Sequence, residues 1–497
     1  MVFASNIFIL FMALVLPIFA IATRNDRVNG KYLLIGLSLF FYSYWLPIYL
    51  LLILASIGFN FALGTWVLNH TDVKKRKLVT GLGIAANLAL IGYFKYYGFF
   101  SENFNAAFGI EGNVPKIALP LGISFFTFQQ VSFLVEVYRR HVKQVDFANY
   151  VLFISFFPQL IAGPIVTQAD MLPQLAAKKS WRLRPEYFSL GFFLFSVGLF
   201  KKSVLIDPYV PFIDIVFDHA AAGNLISFVD GWTGAIGYSF QIYLDFSGYS
   251  DMALGLALLF GIKLPINFFS PYKAASIREF WRRWHITLSR FLQAYLYIPF
   301  GGSRNGHLRT MLALLGTMTL GGLWHGAGWQ FIVWGVLHGL MLVINHLWRN
   351  ITRRSPVLTY ITKNLLYRGL MVGVTFAALA VTWVFFRADS IDSAMRIIHG
   401  MMGLNDVRSV TSFSKGIAVG FPLYFAFVWF LPNTVQMTRR FPAALRRQEF
   451  AEYLSLSGKW RFLQFRFNLF WALFSMGLFL AGWFSLSNLS PFIYFQF

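Results

Sequence analysis

The chain has 497 residues, of which 57% are apolar, 19% aromatic and only 12% charged, with a mean hydropathy of +0.59. Soluble proteins carry roughly 25% charged residues, so the composition excludes a soluble globular domain and points to a polytopic membrane protein. The net charge of +22 sits in short Lys/Arg clusters between apolar runs; such clusters read as cytoplasmic flanks of membrane spans and speak against nucleic-acid binding. With no cysteine, disulfides, thiolate metal sites and a cysteine nucleophile are excluded.

In chain order, apolar segments fall near 7–22, 32–46, 47–68, 78–99, 119–137, 147–166, 186–206, 232–246, 249–262, 309–324, 327–347, 365–386, 416–432 and 467–486. Eleven to thirteen of them are expected to be helices in the membrane, some re-entrant. The first lacks a basic flank and a cleavage site, so it reads as a retained span.

Lys74-Lys75-Arg76-Lys77 marks a cytoplasmic loop, which places the N-terminus outside and Arg139-Arg140 inside. Lys178, Lys179, Arg182 and Arg184 would then fall on the wrong side. A re-entrant hairpin broken at Pro158, Gly163 and Pro164 repairs this. The loop Asp207–Asp230, acidic and free of Lys and Arg, fits the outer face, and the basic stretch Arg439–Arg466 fits the cytoplasm. The last span carries the C-terminus outward. A single membrane domain over 1–497 accounts for the whole pattern, with membrane lipid as its surroundings.

Three polar islands interrupt the apolar background. Tyr243–Asp251 holds two carboxylates and several hydroxyls; it reads either as a turn joining two helices, with Ser247 or Ser250 as a cap, or as a polar functional cluster. From Ser276 to Gly302, Trp281, Trp284 and Leu288 share one face of a single helix, while Arg278, Arg282 and His285 form a second stripe. Such a helix lies on the bilayer surface or lines a cytosolic mouth where guanidinium groups hold phosphates.

The third island surrounds His325. Residues 310–348 contain no Asp, Glu, Lys or Arg, and Gly321, Gly322, Gly326 and Gly328 flank the imidazole and break any regular helix there. Non-helical backbone at membrane depth is tolerated only where it is buried in protein or lines a cavity, and an ionisable group in such a place is a functional candidate. His70, His141, His219, His307 and His399 fall in loops or at segment ends and read as solvated, whereas His338 and His346 read as packed polar groups. A metal site is not expected, because no His-Glu-x-x-His is present and His325 and His338 would face opposite ways on one continuous helix.

The strings Asp245-Phe246-Ser247-Gly248-Tyr249-Ser250-Asp251-Met252-Ala253, Glu279-Phe280-Trp281-Arg282-Arg283-Trp284-His285-Ile286-Thr287-Leu288-Ser289 and Gly321-Gly322-Leu323-Trp324-His325-Gly326-Ala327, in that order and spacing, resemble the membrane-bound O-acyltransferase (MBOAT) family. The resemblance covers nearly the whole chain. It is nearest to the bacterial alginate O-acetyltransferase branch, with teichoic acid D-alanyl transferases as relatives.

This resemblance implies an all-α ring of helices around a thin central region where a cytosolic funnel meets an outer cavity. It also implies an enzyme of the bacterial inner membrane that passes an acetyl group from acetyl-CoA outward for O-acetylation of a polysaccharide such as alginate, with no bound cofactor. A periplasmic SGNH-type partner would complete the transfer. His325 would be the catalytic residue and His285 its companion, both deep in the membrane. Arg282, Arg283, Trp284 and Trp324 would contact the donor.

The terminal Phe492-Ile493-Tyr494-Phe495-Gln496-Phe497 reads as an interfacial aromatic anchor. It also resembles the tail of the small partner protein in the D-alanylation system, which makes Tyr494 a candidate acyl acceptor. Two rivals remain: acyl transfer from a carrier protein, as in D-alanylation, and a transporter or polymer-export channel. The scarcity of paired intramembrane charges speaks against the channel.

Overall fold

The computed structural model describes residues 2–25, 29–44, 46–115, 117–161, 163–177, 180–411, 415–454 and 458–486. They form helices joined by turns and loops, with one isolated bridge between Pro265 and Leu445. Six helical stretches are long and apolar enough to cross a membrane: Asn6–Thr23, Ile48–Asn69, Val73–Phe108, Pro185–Ala221, Trp329–Arg354 and Leu365–Arg387. Gly420–Phe430 and Leu469–Phe484 are shorter apolar helices. The other expected segments are helical too, but shorter, broken or more polar. The chain is an all-α polytopic membrane protein.

At the centre lies Phe228–Leu259, a 32-residue helix buried along almost its whole length. Ser227 caps it, accepting a hydrogen bond from the Asp230 N–H at 3.1 Å. The Tyr243–Asp251 island is therefore the middle of one helix, not a turn between two, and Ser247 and Ser250 cap nothing. Its glycine serves helix packing. A Cβ on Gly198, in the neighbouring helix Pro185–Phe200, would stand 2.4 Å from the Gly248 carbonyl oxygen, so both positions must be glycine for the backbones to touch.

This close crossing explains the two carboxylates of the island. Beyond Phe200 the neighbouring helix widens into a π turn, Lys201–Ile206, which points two consecutive lysines at the central helix. Lys201 Nζ lies 2.6 Å from Asp251, and Lys202 Nζ lies 2.9 Å from Asp245 and 2.8 Å from Asp207. Asp207 is thus buried in an ion pair and is not part of an exposed outer loop. Paired charges do occur inside this protein, so their supposed scarcity no longer weighs against transport; the apolar runs on either side hid the partners from each other in the sequence.

Two other expectations concern broken helices. Phe147–Ser155 ends at Phe156, whose backbone leaves the helical region, and a four-residue turn of helix, Phe157–Leu160, follows in fully buried surroundings. The expected segment is broken, but at Phe156, and Pro158 sits in the first turn of the short helix that follows. The single helix expected from Ser276 is instead two short ones, Ile277–Arg283 and Ile286–Leu292, separated at Trp284-His285.

Candidate active site

His325 is the last residue of the helix His307–His325. Gly321 and Gly322 lie inside that helix, so only the glycines after His325 belong to the non-helical link to Trp329–Arg354. Small residues let these two helices pack backbone to backbone: a Cβ at Gly322 would meet the Phe331 carbonyl oxygen at 2.2 Å, and one at Gly335 would meet the Met318 oxygen at 2.4 Å.

The imidazole of His325 sits in a box of aromatic edges. Trp324, Trp334 and Phe386 stand with ring centres 4.8, 5.1 and 5.1 Å away, each near-perpendicular to it. His325 is 5% exposed.

Lys95 fixes the end of this helix. It projects from a π turn, Gly92–Tyr96, and its ammonium donates to the Trp324 and His325 carbonyl oxygens at 2.6 and 3.0 Å. Tyr96 Oη donates to the Leu323 carbonyl at 2.8 Å. A cation among the last carbonyls satisfies groups that a helix end leaves without donors and complements the helix dipole. Lys95 lies outside the three polar islands. The signal was there, a lysine within the apolar segment 78–99, where ionisable residues mark functional or structural sites.

His285 occupies the break between the two short helices with φ +38° and ψ 54°, the left-handed region that costs a non-glycine residue roughly 1–3 kcal/mol. Surrounding bonds hold it there: Ile286 N donates to the Asn267 carbonyl at 3.0 Å, and Phe269 N to the Arg283 carbonyl at 2.9 Å. The ring is fully buried, with Phe246 edge-on at 4.8 Å. The Trp324 ring is near both histidines, its centre 6.3 Å from His285 and 4.8 Å from His325. His285, His338 and Lys95 are all near enough to act electrostatically on His325.

His338 is a strut rather than an open imidazole. Trp281 Nε1 donates to its Nδ1 at 3.2 Å, and its Nε2 meets the Thr382 hydroxyl at 3.1 Å. That arrangement fits the packed polar group read from sequence.

A cavity of about 630 Å³ opens beside this cluster. Its buried wall includes Trp281, Ile286, Leu292, Thr317 and Met318, so it comes within one residue of His285 and two turns of His325. The Thr317 hydroxyl is buried there without a hydrogen-bond partner. Arg278, Arg282, Arg290, Arg349 and Arg353 line the cavity, with Glu449, the ion-pair partner of Arg290, as its carboxylate.

Of the expected donor contacts, Arg282 is in this wall. Arg283 is not: it is buried against Glu279 at 2.7 Å and over the Tyr453 ring at 4.6 Å. Trp284 is 1% exposed and packs among Phe280, Phe268 and Trp383. Trp324 packs near both histidines and is not in the cavity wall. Tyr494 lies outside the described residues. Among the described residues, no three His, Asp or Glu side chains are grouped to hold a metal ion.

Fold and site together define an integral membrane protein with two buried histidines beside an arginine-lined cavity. Residues 34–382 match the membrane-bound O-acyltransferase family. The chain is similar to the peptidoglycan O-acetyltransferase of Helicobacter pylori, 42% identical over 411 residues that cover 78% of this chain and 76% of that protein. It is similar to the "probable alginate O-acetylase" of Azotobacter vinelandii at 37% over 415 residues, covering 82% and 79%. A teichoic acid D-alanyltransferase of Streptococcus thermophilus is 26% identical over 292 residues, 54% of this chain and 68% of its own. The chain belongs to the membrane-bound O-acyltransferase family and is an acyltransferase.

Proposed function

We propose that this enzyme takes an acetyl group from acetyl-CoA on the cytoplasmic side of the bacterial inner membrane and passes it outward for O-acetylation of a polysaccharide. The relatives' names give peptidoglycan and alginate as acceptors, and a polymer of that class is assigned here. Support comes from the cavity, whose wall carries five arginines and includes Ile286, the residue next to His285. Guanidinium groups suit phosphates, and acetyl-CoA carries several phosphates where the prosthetic group of a carrier protein carries one. That count favours the soluble nucleotide thioester over a carrier. The basic stretch Arg439–Arg466 packs beside the cavity through Glu449 and Phe450, in keeping with a cytoplasmic mouth.

In this reading a neutral His325 accepts the proton of an attacking hydroxyl. The hydroxyl oxygen forms a bond to the acetyl carbonyl carbon, the carbon–sulfur bond breaks, and the thiolate takes up the proton and leaves as free CoA thiol. His285 orients His325 or stabilises the oxyanion. Tyr494, at the outward-directed C-terminus, serves as the first hydroxyl, and a periplasmic SGNH-type partner moves the acetyl group onto the polymer.

Purified protein in lipid nanodiscs, given acetyl-labelled acetyl-CoA, should release CoA and transfer label in the presence of its partner, and His325→Ala should lose at least about 10²-fold in rate. Label transfer from an acylated carrier protein but not from acetyl-CoA would reverse the donor assignment. Full acetylation by Tyr494→Phe would remove the tyrosine step while leaving the rest.

A further inference from the structure

Asn267 lies in the loop after the central helix, outside all three polar islands, and is 1% exposed. Its side-chain oxygen receives three groups. Thr287 N–H approaches at 3.4 Å, the Thr287 hydroxyl donates at 2.9 Å, and His285 Nδ1 lies at 3.0 Å. Its amide nitrogen faces Ser250 Oγ at 3.4 Å.

This network leaves one consistent direction for each proton. The Thr287 N–H can only donate, so the atom facing it is the amide oxygen. The Thr287 hydroxyl accepts from Ile165 N–H at 2.9 Å, which leaves its own proton for Asn267. An amide oxygen cannot donate. His285 Nδ1 must therefore carry a proton, and in the neutral ring the lone pair falls on Nε2.

We propose that Asn267 is a positioning residue for acyl transfer, holding His285 as the Nδ1–H tautomer so that Nε2 is the basic edge of the ring beside His325. This rests on the reading that His285 takes part in the reaction. The same residue also secures the strained turn, since its carbonyl accepts the Ile286 N–H. Ser250 belongs to the first polar island and His285 and Thr287 to the second, so Asn267 is where the two islands meet. A histidine's working nitrogen is set by the bond its other nitrogen makes, and the wrong tautomer disables an otherwise intact site.

The test uses full-length protein in nanodiscs with ¹⁵N-histidine, the His285 signals being identified by their loss in His285→Ala. Wild type should show Nδ1–H. Asn267→Ala should populate Nε2–H and lose on the order of 10²-fold in kcat, with the KM for acetyl-CoA changed by less than about twofold. Asn267→Asp retains an acceptor at the same place; it should keep Nδ1–H and recover most of kcat.

An Asn267→Ala protein that keeps Nδ1–H, or an Asn267→Asp protein that folds but shows Nε2–H, overturns the proposal even if the alanine variant proves unstable. Normal turnover by Asn267→Ala beside an inactive His285→Ala overturns it alone. Normal turnover by His285→Ala overturns the part of His285 in the reaction and, with it, that of Asn267.

Discussion

Gly335 lies so close to Met318 that a Cβ on the glycine would stand 2.4 Å from the methionine carbonyl oxygen and 3.0 Å from Thr319 Cα. Both obstacles are backbone, so no side-chain rotation relieves the clash, and the helix ending in His325 must move away from its partner. Gly335→Ala should destabilise the protein by about 1–3 kcal/mol and cut turnover more than stability, because Met318 and His325 share one rigid helix. Gly369, with nothing within 4 Å of its added Cβ, is the control: Gly369→Ala should be neutral or slightly stabilising, as alanine favours an exposed helix. Thermal unfolding in detergent, run beside the acyl-transfer assay, compares the two; equal effects from both substitutions would sink the packing argument.

The Lys201–Asp251 pair makes a sharper energetic prediction. Both groups are buried, and Asp251 also accepts the Thr434 hydroxyl at 2.8 Å. Removing either partner strands a charge in low dielectric, so Lys201→Met and Asp251→Leu should each cost about 3–5 kcal/mol. The double variant strands neither and should be more stable than either single one. A double-mutant cycle checks this, and additive losses would mean that the pair is not coupled.

Much of the helical layout was legible because the spans are contiguous apolar runs whose boundaries carry charge. The burial of His285 and His325 was legible for the complementary reason, as imidazoles in apolar or aromatic settings. What misled was local chemistry overridden by tertiary packing. Asp245, Ser247, Gly248, Ser250 and Asp251 are residues of turns by local preference, but with Asp245 paired to Lys202, Asp251 to Lys201 and Gly248 packed on Gly198 they sit inside a helix. The stripe from Arg278 to His285 looks helical throughout, and only the contacts of Asn267 and Phe269 around His285 reveal the break. Asn267 itself carries no charge, lies in no periodic pattern and was invisible in the sequence.

The arginines separate by position. Arg278, Arg282 and Arg353 are exposed in the cavity wall, so glutamine at each should raise the KM for acetyl-CoA roughly two- to fivefold, as for partly solvated charge contacts, with kcat little changed. Added salt should shrink the difference by screening. Arg283→Gln should behave otherwise, lowering stability through the loss of Glu279 and Tyr453 as partners while leaving KM alone. Steady-state kinetics at two ionic strengths decide it, and a KM effect confined to Arg283→Gln would relocate the donor.

Lys95 offers the most direct link between a helix end and the chemistry. Its ammonium is the donor to the carbonyls of Trp324 and His325, so Lys95→Met, close in length and without charge, leaves two buried acceptors at the end of the histidine helix. A hydrogen bond from a charged donor contributes about 1.5–3 kcal/mol, and the substitution should lower stability by that order. Freed of its cap, the last turn can fray and carry the His325 imidazole out of the box formed by Trp324, Trp334 and Phe386. The kcat should then fall by about tenfold or more while the KM for acetyl-CoA, the proposed ligand of the arginine-lined cavity, stays near that of wild type. Lys95→Arg keeps the charge but replaces a compact point donor with a planar fork, so it should recover stability better than turnover. Full turnover by Lys95→Met at a temperature where it remains folded would show that the helix end holds His325 without the lysine.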